Sequence, residues 1–131
     1  MRFVVAGAVV DDGRLLLAQR SYPPEVAGRW ELPGGKAEDG ETLHDALIRE
    51  LSEELGVTVD VGERLTEQVR LGPDLTMIAL RAHIVDGSPR ATEHSGLCWV
   101  GADGLAAMRD RGELVPADEA WVPELIAVLN D

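Results

Sequence analysis

The segment from residue 35 to residue 57 constrains the fold more than any other part of the chain. It reads GKAEDGETLHDALIRELSEELGV, a glycine-rich turn followed by an amphipathic stretch that ends in glycine. Thr42 is a good N-cap and Gly56 a good stop signal, so we predict a helix over residues 42–55. At about 100° per residue, the acids of this helix fall within an arc of about 100°, beside an apolar arc that should face the core. The acids are Glu50, Glu53 and Glu54, and the apolar residues are Leu47, Ile48, Leu51 and Leu55.

Three carboxylates on one short arc repel each other unless a cation lies on them. Carboxylate oxygens suit Mg²⁺ or Mn²⁺ better than zinc or copper. A zinc cluster is not indicated, because the three histidines are far apart in the sequence and there is one cysteine. A glutamate-rich surface helix is the alternative, and the fixed spacing of seven polar or glycine positions argues against it. The helix therefore predicts a divalent-metal site.

The composition limits the partners of the chain. Its 131 residues and 45% hydrophobic content fit one domain over residues 1–131. The formal net charge of -12 argues against a nucleic-acid polymer as partner, because Lys and Arg contacts to phosphates dominate such binding. A nucleotide can still approach an acidic site when metal ions bridge the two. The single cysteine, Cys98, fits a reducing cytoplasm, and its apolar neighbours indicate packing rather than catalysis.

The order of elements along the chain predicts an α/β sandwich around a mixed sheet. No stretch approaches 18 apolar residues, so we expect no membrane partner. The apolar residues 2–10 end at a hairpin signal, Asp11–Gly13, which favours a first strand over a signal peptide. The other predicted elements are a strand over 14–20, a functional loop over 21–41, extended chain over 57–70, strands over 75–85 and 96–100, and helices over 102–110 and 119–129. The last helix should bury Trp121, Leu125, Ile126 and Leu129.

Residues 35–57 carry the pattern Gly-x5-Glu-x7-Arg-Glu-Leu-x-Glu-Glu-x-Gly, and they resemble the complete Nudix box. The segment Trp30–Lys36 resembles the lead-in of the MutT-type branch of that superfamily. Pro116–Asp118 resembles the base-recognition loop of the same branch. The stretch before the last strand in its cytidine-nucleotide relatives is similar to Glu93–His94 followed by Leu97–Trp99 here. The resemblance covers nearly the whole chain, and it implies a Nudix fold, which is an α/β/α sandwich around a mixed sheet.

The Nudix resemblance implies a set of metal ligands. They are the carboxylates of Glu50, Glu53, Glu54 and Glu93 and the carbonyl of Gly34. Mg²⁺ is the implied cofactor, and Mn²⁺ can substitute for it. Either Glu53 or Glu93 is implied as the catalytic base, and the sequence does not choose between them. Arg49 and Glu41 are implied to pair, so that they orient the loop and the helix without touching substrate.

The resemblance also implies substrate contacts outside the box. They are Arg20, Glu31, Leu32, Pro33, Gly34, Lys36 and Asp118. Three of these have a plain alternative: a surface arginine for Arg20, a solvated loop lysine for Lys36, and an N-cap of the last helix for Asp118. An aspartate would accept hydrogen bonds from the amine of cytosine or from the N–H groups of guanine. The cytidine-triphosphate branch carries aspartate at this position, whereas the MutT-type 8-oxoguanine enzyme carries asparagine.

The implied function is Mg²⁺-dependent pyrophosphohydrolysis of a nucleoside triphosphate. Water would attack an inner phosphorus and release a nucleoside monophosphate and pyrophosphate. The expected substrates are CTP, dCTP and their modified forms, 8-oxo-dGTP, or both, in sanitation of the nucleotide pool. One alternative is a Nudix hydrolase of another diphosphate, such as ADP-ribose, and another is a non-catalytic nucleotide-binding module, although such modules usually lose box glutamates. We expect a cytoplasmic protein that is a monomer or a homodimer.

Overall fold

The computed structural model describes residues 2–131, which form a mixed sheet with helices packed on both faces. The elements run in the order β1 (Arg2–Asp11), β2 (Arg14–Gln19), β3 (Trp30–Glu31), β4 (Gly34–Lys36), α1 (Leu43–Leu55), β5 (Thr58–Gly72), β6 (Leu75–Asp86), β7 (Gly96–Val100), α2 (Ala102–Asp110) and α3 (Val122–Leu129). A 3-10 helix, Pro116–Trp121, directly precedes α3. The predicted α/β class is confirmed.

Strand β1 holds the sheet together because it pairs with three other strands. It runs parallel to β6, from Arg2 opposite Leu75 to Val9 opposite Ala82. On its other side it runs antiparallel to β4 and then, at its end, to β2. Strand β2 pairs in turn with β3 and β7, while β5 pairs with β6 at the outer edge. The seven strands within residues 2–131 therefore place the glycine-rich β4 beside the central strand.

Alternate side chains of β1 enter two different hydrophobic layers. Val5 and Val9 lie in the layer that contains the buried leucines of α1. Ala6 and Ala8 lie in the opposite layer with α2, the 3-10 helix and α3. In that layer Trp121 is fully buried, and its Nε1–H donates to a backbone carbonyl of β5 at 2.8 Å. The helices thus cover both faces of the sheet, as in the predicted α/β/α sandwich.

Helix α1 has the ends that its sequence predicts. Thr42 Oγ1 accepts a hydrogen bond from the Asp45 amide at 3.0 Å, and Gly56 ends the helix with a left-handed φ of 72°. The prediction that Ile48 faces the core is wrong, because this side chain is 36% exposed. Ala46 is buried instead, so the buried face is rotated toward the carboxylates. This rotation half-buries two of the three box acids.

The predicted loop over residues 21–41 contains two short strands, β3 and β4. Glycine and proline make the composition typical of a loop, whereas these strands form on partners that are distant in sequence. At Gly34 the sheet requires glycine, because a Cβ would lie 1.9 Å from the Val5 carbonyl oxygen. The pairing of β4 with β1 is therefore possible only with a residue that lacks a side chain.

The predicted helix over residues 119–129 divides into the end of the 3-10 helix and α3. Pro123 lies in the first turn of α3, where a missing N–H is tolerated, and it cannot continue the hydrogen bonding of an earlier α-helix. Of the predicted buried stripe, Trp121 and Leu125 are buried, and Ile126 and Leu129 are partly buried against the same core.

None of the helices within residues 2–131 has the length and apolar character needed to cross a bilayer. Cys98 is half-buried against the core, and burial raises the pKa of its thiol. A raised pKa lowers the thiolate fraction that a nucleophile needs, which supports a packing role for this residue.

Candidate active site

Two adjoining cavities bring together most of the predicted site residues. The first, of about 170 Å³, is polar, and we call it the acidic cavity. Its lining includes Gly34, Glu54, Glu93 and His94. The second, of about 360 Å³, is mostly apolar, and we call it the apolar cavity; it is lined by Val4, Val5, Ala6, Leu32, Gly35, Lys36, Leu71, Leu75, Met77, Val115, Ala117 and Asp118. Arg20, Glu31 and Gly34 line both cavities and therefore form their common wall.

Glu54 is the buried acid of the acidic cavity. Its Oε2 atom is inaccessible to solvent and has no hydrogen-bond partner among residues 2–131. Burial, together with the negative charge of the neighbouring Glu50, raises the pKa of the Glu54 carboxyl to about 8. A buried carboxylate oxygen without a donor is costly, and a cation would satisfy it. The chemistry of this donor set therefore fits a divalent metal.

Glu53 lies apart from the other box acids in this conformation. Its side chain is 61% exposed and its Oε2 accepts from Arg49 Nη1 at 3.3 Å. Within residues 2–131, no three carboxylate, imidazole or thiol groups converge closely enough to hold one metal ion. Mutual repulsion explains this arrangement, because Arg49 offers Glu53 a positive partner away from Glu54.

Arg49 connects the loop before α1 to the helix itself. Its Nε and Nη2 donate to the two carboxylate oxygens of Glu41 at 2.7 and 3.0 Å, which is the pair expected from the sequence. Nη2 also donates to the Lys36 carbonyl at 3.0 Å, and Nη1 donates to Glu50 Oε1 at 2.9 Å. The hydrogen bonds from Arg49 lower the pKa of Glu41, and Glu41 raises the pKa of Arg49. The guanidinium thus fixes Glu50 beside the glycine-rich strand.

The segment 92–95 is anchored to two separate elements. Thr92 Oγ1 donates to the Glu54 carbonyl at 2.7 Å, and the Ser95 amide donates to the Gln19 carbonyl at 2.8 Å. The Ser21 hydroxyl donates to the carbonyl of Glu93 at 3.1 Å. These contacts bring the segment to the acidic cavity. The sequence did not predict that Ser21, Tyr22 and His94 line the acidic cavity. For His94, its place next to the candidate ligand Glu93 could have indicated this, and no such signal existed for Ser21 and Tyr22.

Asp118 is the polar group of the apolar cavity. It is 6% exposed, and its Oδ2 accepts from the Leu32 amide at 2.7 Å. The alternative that Asp118 caps the last helix is wrong, because α3 begins after Trp121 without a side-chain cap. Burial raises the pKa of Asp118 to about 7. Near neutral pH its free oxygen can therefore act either as an acceptor or, when protonated, as a donor.

Two further predicted contacts differ in their access to the site. Lys36 is exposed at the edge of the apolar cavity, where its ammonium can reach a bound anion. Pro33 is buried, and its carbonyl accepts from the Gly7 amide at 2.7 Å. Pro33 therefore joins the lead-in segment to β1 and lines neither cavity.

Two glycine substitutions are expected to separate the fold from the site. Gly34→Ala should lower the free energy of unfolding by at least about 2 kcal/mol, because its Cβ would meet a fixed backbone oxygen. Gly35→Ala should preserve the fold and weaken divalent-metal binding, because its Cβ would lie 2.3 Å from Glu50 Oε2, the end of a flexible side chain. Melting curves with and without divalent metal measure both effects.

Gly104→Ala is the matched control for this pair, since its Cβ would make an ordinary contact of 3.6 Å on α2. We expect this variant to have nearly the same melting temperature without metal as the unchanged chain. The increase in melting temperature on adding divalent metal should also be nearly the same. If Gly34→Ala melted like the unchanged chain, the close approach of β4 to β1 would be contradicted. A normal metal response of Gly35→Ala would contradict the placement of Glu50.

Comparison with known proteins gives consistent matches over most of the chain. A family profile described as "NUDIX domain" matches residues 1–125. A protein of Mycobacterium tuberculosis named "Putative 8-oxo-dGTP diphosphatase 2" is 48% identical over 132 residues, covering 98% of this chain and 91% of that protein. The "CTP pyrophosphohydrolase" of Escherichia coli is 41% identical over 98 residues, covering 73% of each. The solution structure of the E. coli ORF135 protein has a TM-score of 0.79 and 36% identity, covering 98% of this chain and 90% of that one.

Proposed function

The chain belongs to the Nudix family and is a hydrolase, and from this premise we propose that residues 1–131 form one Mg²⁺-dependent nucleoside triphosphate pyrophosphohydrolase domain. It hydrolyses an inner phosphoric anhydride and releases a nucleoside monophosphate and pyrophosphate. The observation that carries this proposal is the pair of cavities with a common wall at Arg20 and Glu31. The acidic cavity suits a metal-bound phosphate chain, and the apolar cavity suits a base.

The residues that would hold Mg²⁺, or Mn²⁺ in its place, are the three box acids, Glu93 and the Gly34 carbonyl. The buried, unpartnered Oε2 of Glu54 supports this assignment most directly. When bound there, a divalent metal would supply Lewis acidity toward the phosphoryl group and would lower the pKa of water. Glu53 would have to leave Arg49 to join this set, which requires only rotation of an exposed side chain.

Glu93 is better placed than Glu53 to take the proton of the attacking water. Glu93 lines the acidic cavity, whereas Glu53 lines neither cavity and is ion-paired with Arg49. A general base must lie within hydrogen-bond reach of the proton that it accepts. Glu53 then acts only as a metal ligand. Arg20 and Lys36, at the cavity walls, neutralise the negative charge of the phosphate chain.

Asp118 and the apolar walls of its cavity would select the base. Leu71, Leu75 and Met77 offer apolar contact to a planar ring, and Asp118 supplies one polar contact. Ionised Asp118 would accept from the amine of cytosine, and protonated Asp118 would donate to a purine carbonyl. CTP, dCTP, their modified forms and 8-oxo-dGTP therefore fit as substrates. The names of the two relatives, an 8-oxo-dGTP diphosphatase and a CTP pyrophosphohydrolase, refer to the same two classes of nucleotide, oxidised guanine and cytidine nucleotides.

A substrate panel with Mg²⁺ tests this function. The compounds are CTP, dCTP, 5-methyl-dCTP, 8-oxo-dGTP, dGTP and ADP-ribose, with pyrophosphate and phosphate measured separately. We expect a cytidine nucleotide or 8-oxo-dGTP to be hydrolysed fastest, with pyrophosphate as the first product. Hydrolysis by this site must fall by orders of magnitude in Glu53→Gln and Glu93→Gln. Phosphate as the first product, or full activity of Glu53→Gln, would contradict the proposal.

A further inference from the structure

Arg20, Glu31 and His94 form a chain of hydrogen bonds in the wall between the two cavities. Arg20 Nη1 donates to Glu31 Oε1 at 3.2 Å, and His94 Nε2 lies 3.1 Å from Glu31 Oε2. The side chains of Glu31 and His94 are 15% and 11% exposed. Since an ionised carboxylate only accepts, Nε2 of His94 carries the proton in this bond.

The hydrogen bond to Glu31 is the one polar contact of the His94 ring within residues 2–131, because Nδ1 is buried without a partner. The ring is nevertheless held in place, since it belongs to the segment 92–95 that is anchored to α1 and to β2. A buried imidazole that is fixed on both sides and bonds to one carboxylate serves to orient that carboxylate.

Glu31 needs two donors because its surroundings are acidic. Its negative charge is among the influences that raise the pKa of Glu54 on one side and the pKa of Asp118 on the other. If His94 no longer donated, one carboxylate oxygen of Glu31 would be buried without a partner beside these acids. Glu31 would then rotate toward solvent, and Arg20 would lose the acceptor that orients its guanidinium.

We propose that His94 is a positioning residue, which holds Glu31 so that Arg20 presents a free nitrogen to the phosphate chain of the substrate. This rests on the proposed function, because it takes a nucleoside triphosphate as the ligand of Arg20. Arg20 Nε donates to the Tyr22 carbonyl at 3.0 Å and Nη1 donates to Glu31, which leaves Nη2 for a phosphate oxygen. Such a contact exists in the bound substrate as well as in the transition state, so its loss raises KM more than it lowers kcat.

Two substitutions of His94 test the role of its donor. His94→Asn removes the donor at the Nε2 position, whereas His94→Gln offers an amide N–H at a similar reach. We expect His94→Asn to raise KM about tenfold with kcat changed less than about twofold, and His94→Gln to keep KM within about threefold of the unchanged chain. In an Arg20→Ala background, His94→Asn should raise KM no further, because both changes remove the same contact.

A binding measurement separates this role from the proposed activity. The α,β-methylene analogues of dCTP and of 8-oxo-dGTP are titrated with Mg²⁺ into the unchanged chain and into His94→Asn. Analogue binding without triphosphate hydrolysis would overturn the activity alone, and weaker binding by His94→Asn would still support the positioning role. Equal Kd values for the two proteins, or additive effects of Arg20→Ala and His94→Asn, would overturn the positioning role. If the unchanged chain bound neither analogue, both proposals would fall.

Discussion

Glu54→Gln is expected to lower kcat at saturating Mg²⁺ by at least about a hundredfold while the fold keeps its stability without metal. The carboxylate of Glu54 is half-buried beside Glu50, and its Oε2 has no partner within residues 2–131. Because the raised pKa of about 8 keeps Glu54 largely protonated in the metal-free protein near neutral pH, a neutral amide of the same size changes little there, while it would remove a proposed ligand from the metal-bound protein. Stability in EDTA should therefore be unchanged or higher, while the rise in melting temperature on adding Mg²⁺ should be largely lost.

Glu63→Gln serves as the control for this substitution, because Glu63 is an exposed glutamate on β5 away from both of the site cavities. It should keep both the turnover and the Mg²⁺-dependent rise in melting temperature. A Glu54→Gln variant that unfolds at lower temperature in EDTA would show that the carboxylate stabilises the fold rather than the metal. Near-normal turnover of that variant would remove Glu54 from the metal site.

Asp118→Asn is expected to stabilise the protein increasingly as the pH rises from about 4 to about 7, by up to about 4 kcal/mol at pH 8. The pKa of Asp118 is raised from 3.8 to about 7 on folding, chiefly by burial. Between these values the unfolded chain has released this proton while the folded chain keeps it, so the contribution of Asp118 to stability falls as pH rises. Asparagine still accepts from the Leu32 amide but carries no charge, and it therefore avoids this loss.

Denaturant unfolding of both proteins at pH 4 and at pH 8 measures the effect. The difference between Asp118→Asn and the unchanged chain should be near zero at pH 4 and large at pH 8. The exposed loop residue Asp39 supplies the control, since Asp39→Asn should give little difference at either pH. A constant difference across this range would mean that Asp118 titrates as an ordinary aspartate in the folded protein.

The features that the sequence predicted well depend on neighbours along the chain. The cap at Thr42, the stop at Gly56 and the acidic arc of α1 are set by residues within a few turns of one another. The error at Ile48 arose because the rotation of a helix against its sheet is set by the packing surface. In this protein that surface includes Gly7 of β1, where a Cβ would lie only 3.2 to 3.4 Å from its neighbours.

The contacts that the sequence did not predict join residues that are far apart in the chain. Leu32 and Asp118 are 86 positions apart, and Glu31 and His94 are 63 positions apart. Local periodicity carries no information on such pairs, because they meet only when β3 and the segment after it, the segment before β7 and the 3-10 helix are assembled. The sequence indicated Glu31, Leu32 and Asp118 as candidate site residues, but only the tertiary structure shows which residues they contact.

The parallel pairing of β1 has a consequence for synthesis of the protein on the ribosome. Residues 2–9 pair with residues 75–82, so β1 emerges long before its central partner exists. Until then β1, with the run FVVAGAVV, has β2 and β4 as strand partners and α1 over one face, so its edge toward β6 and its other face are uncovered. A nascent chain of this protein therefore carries an aggregation-prone strand through most of its elongation, and chaperone binding at this strand should end once β6 has been made.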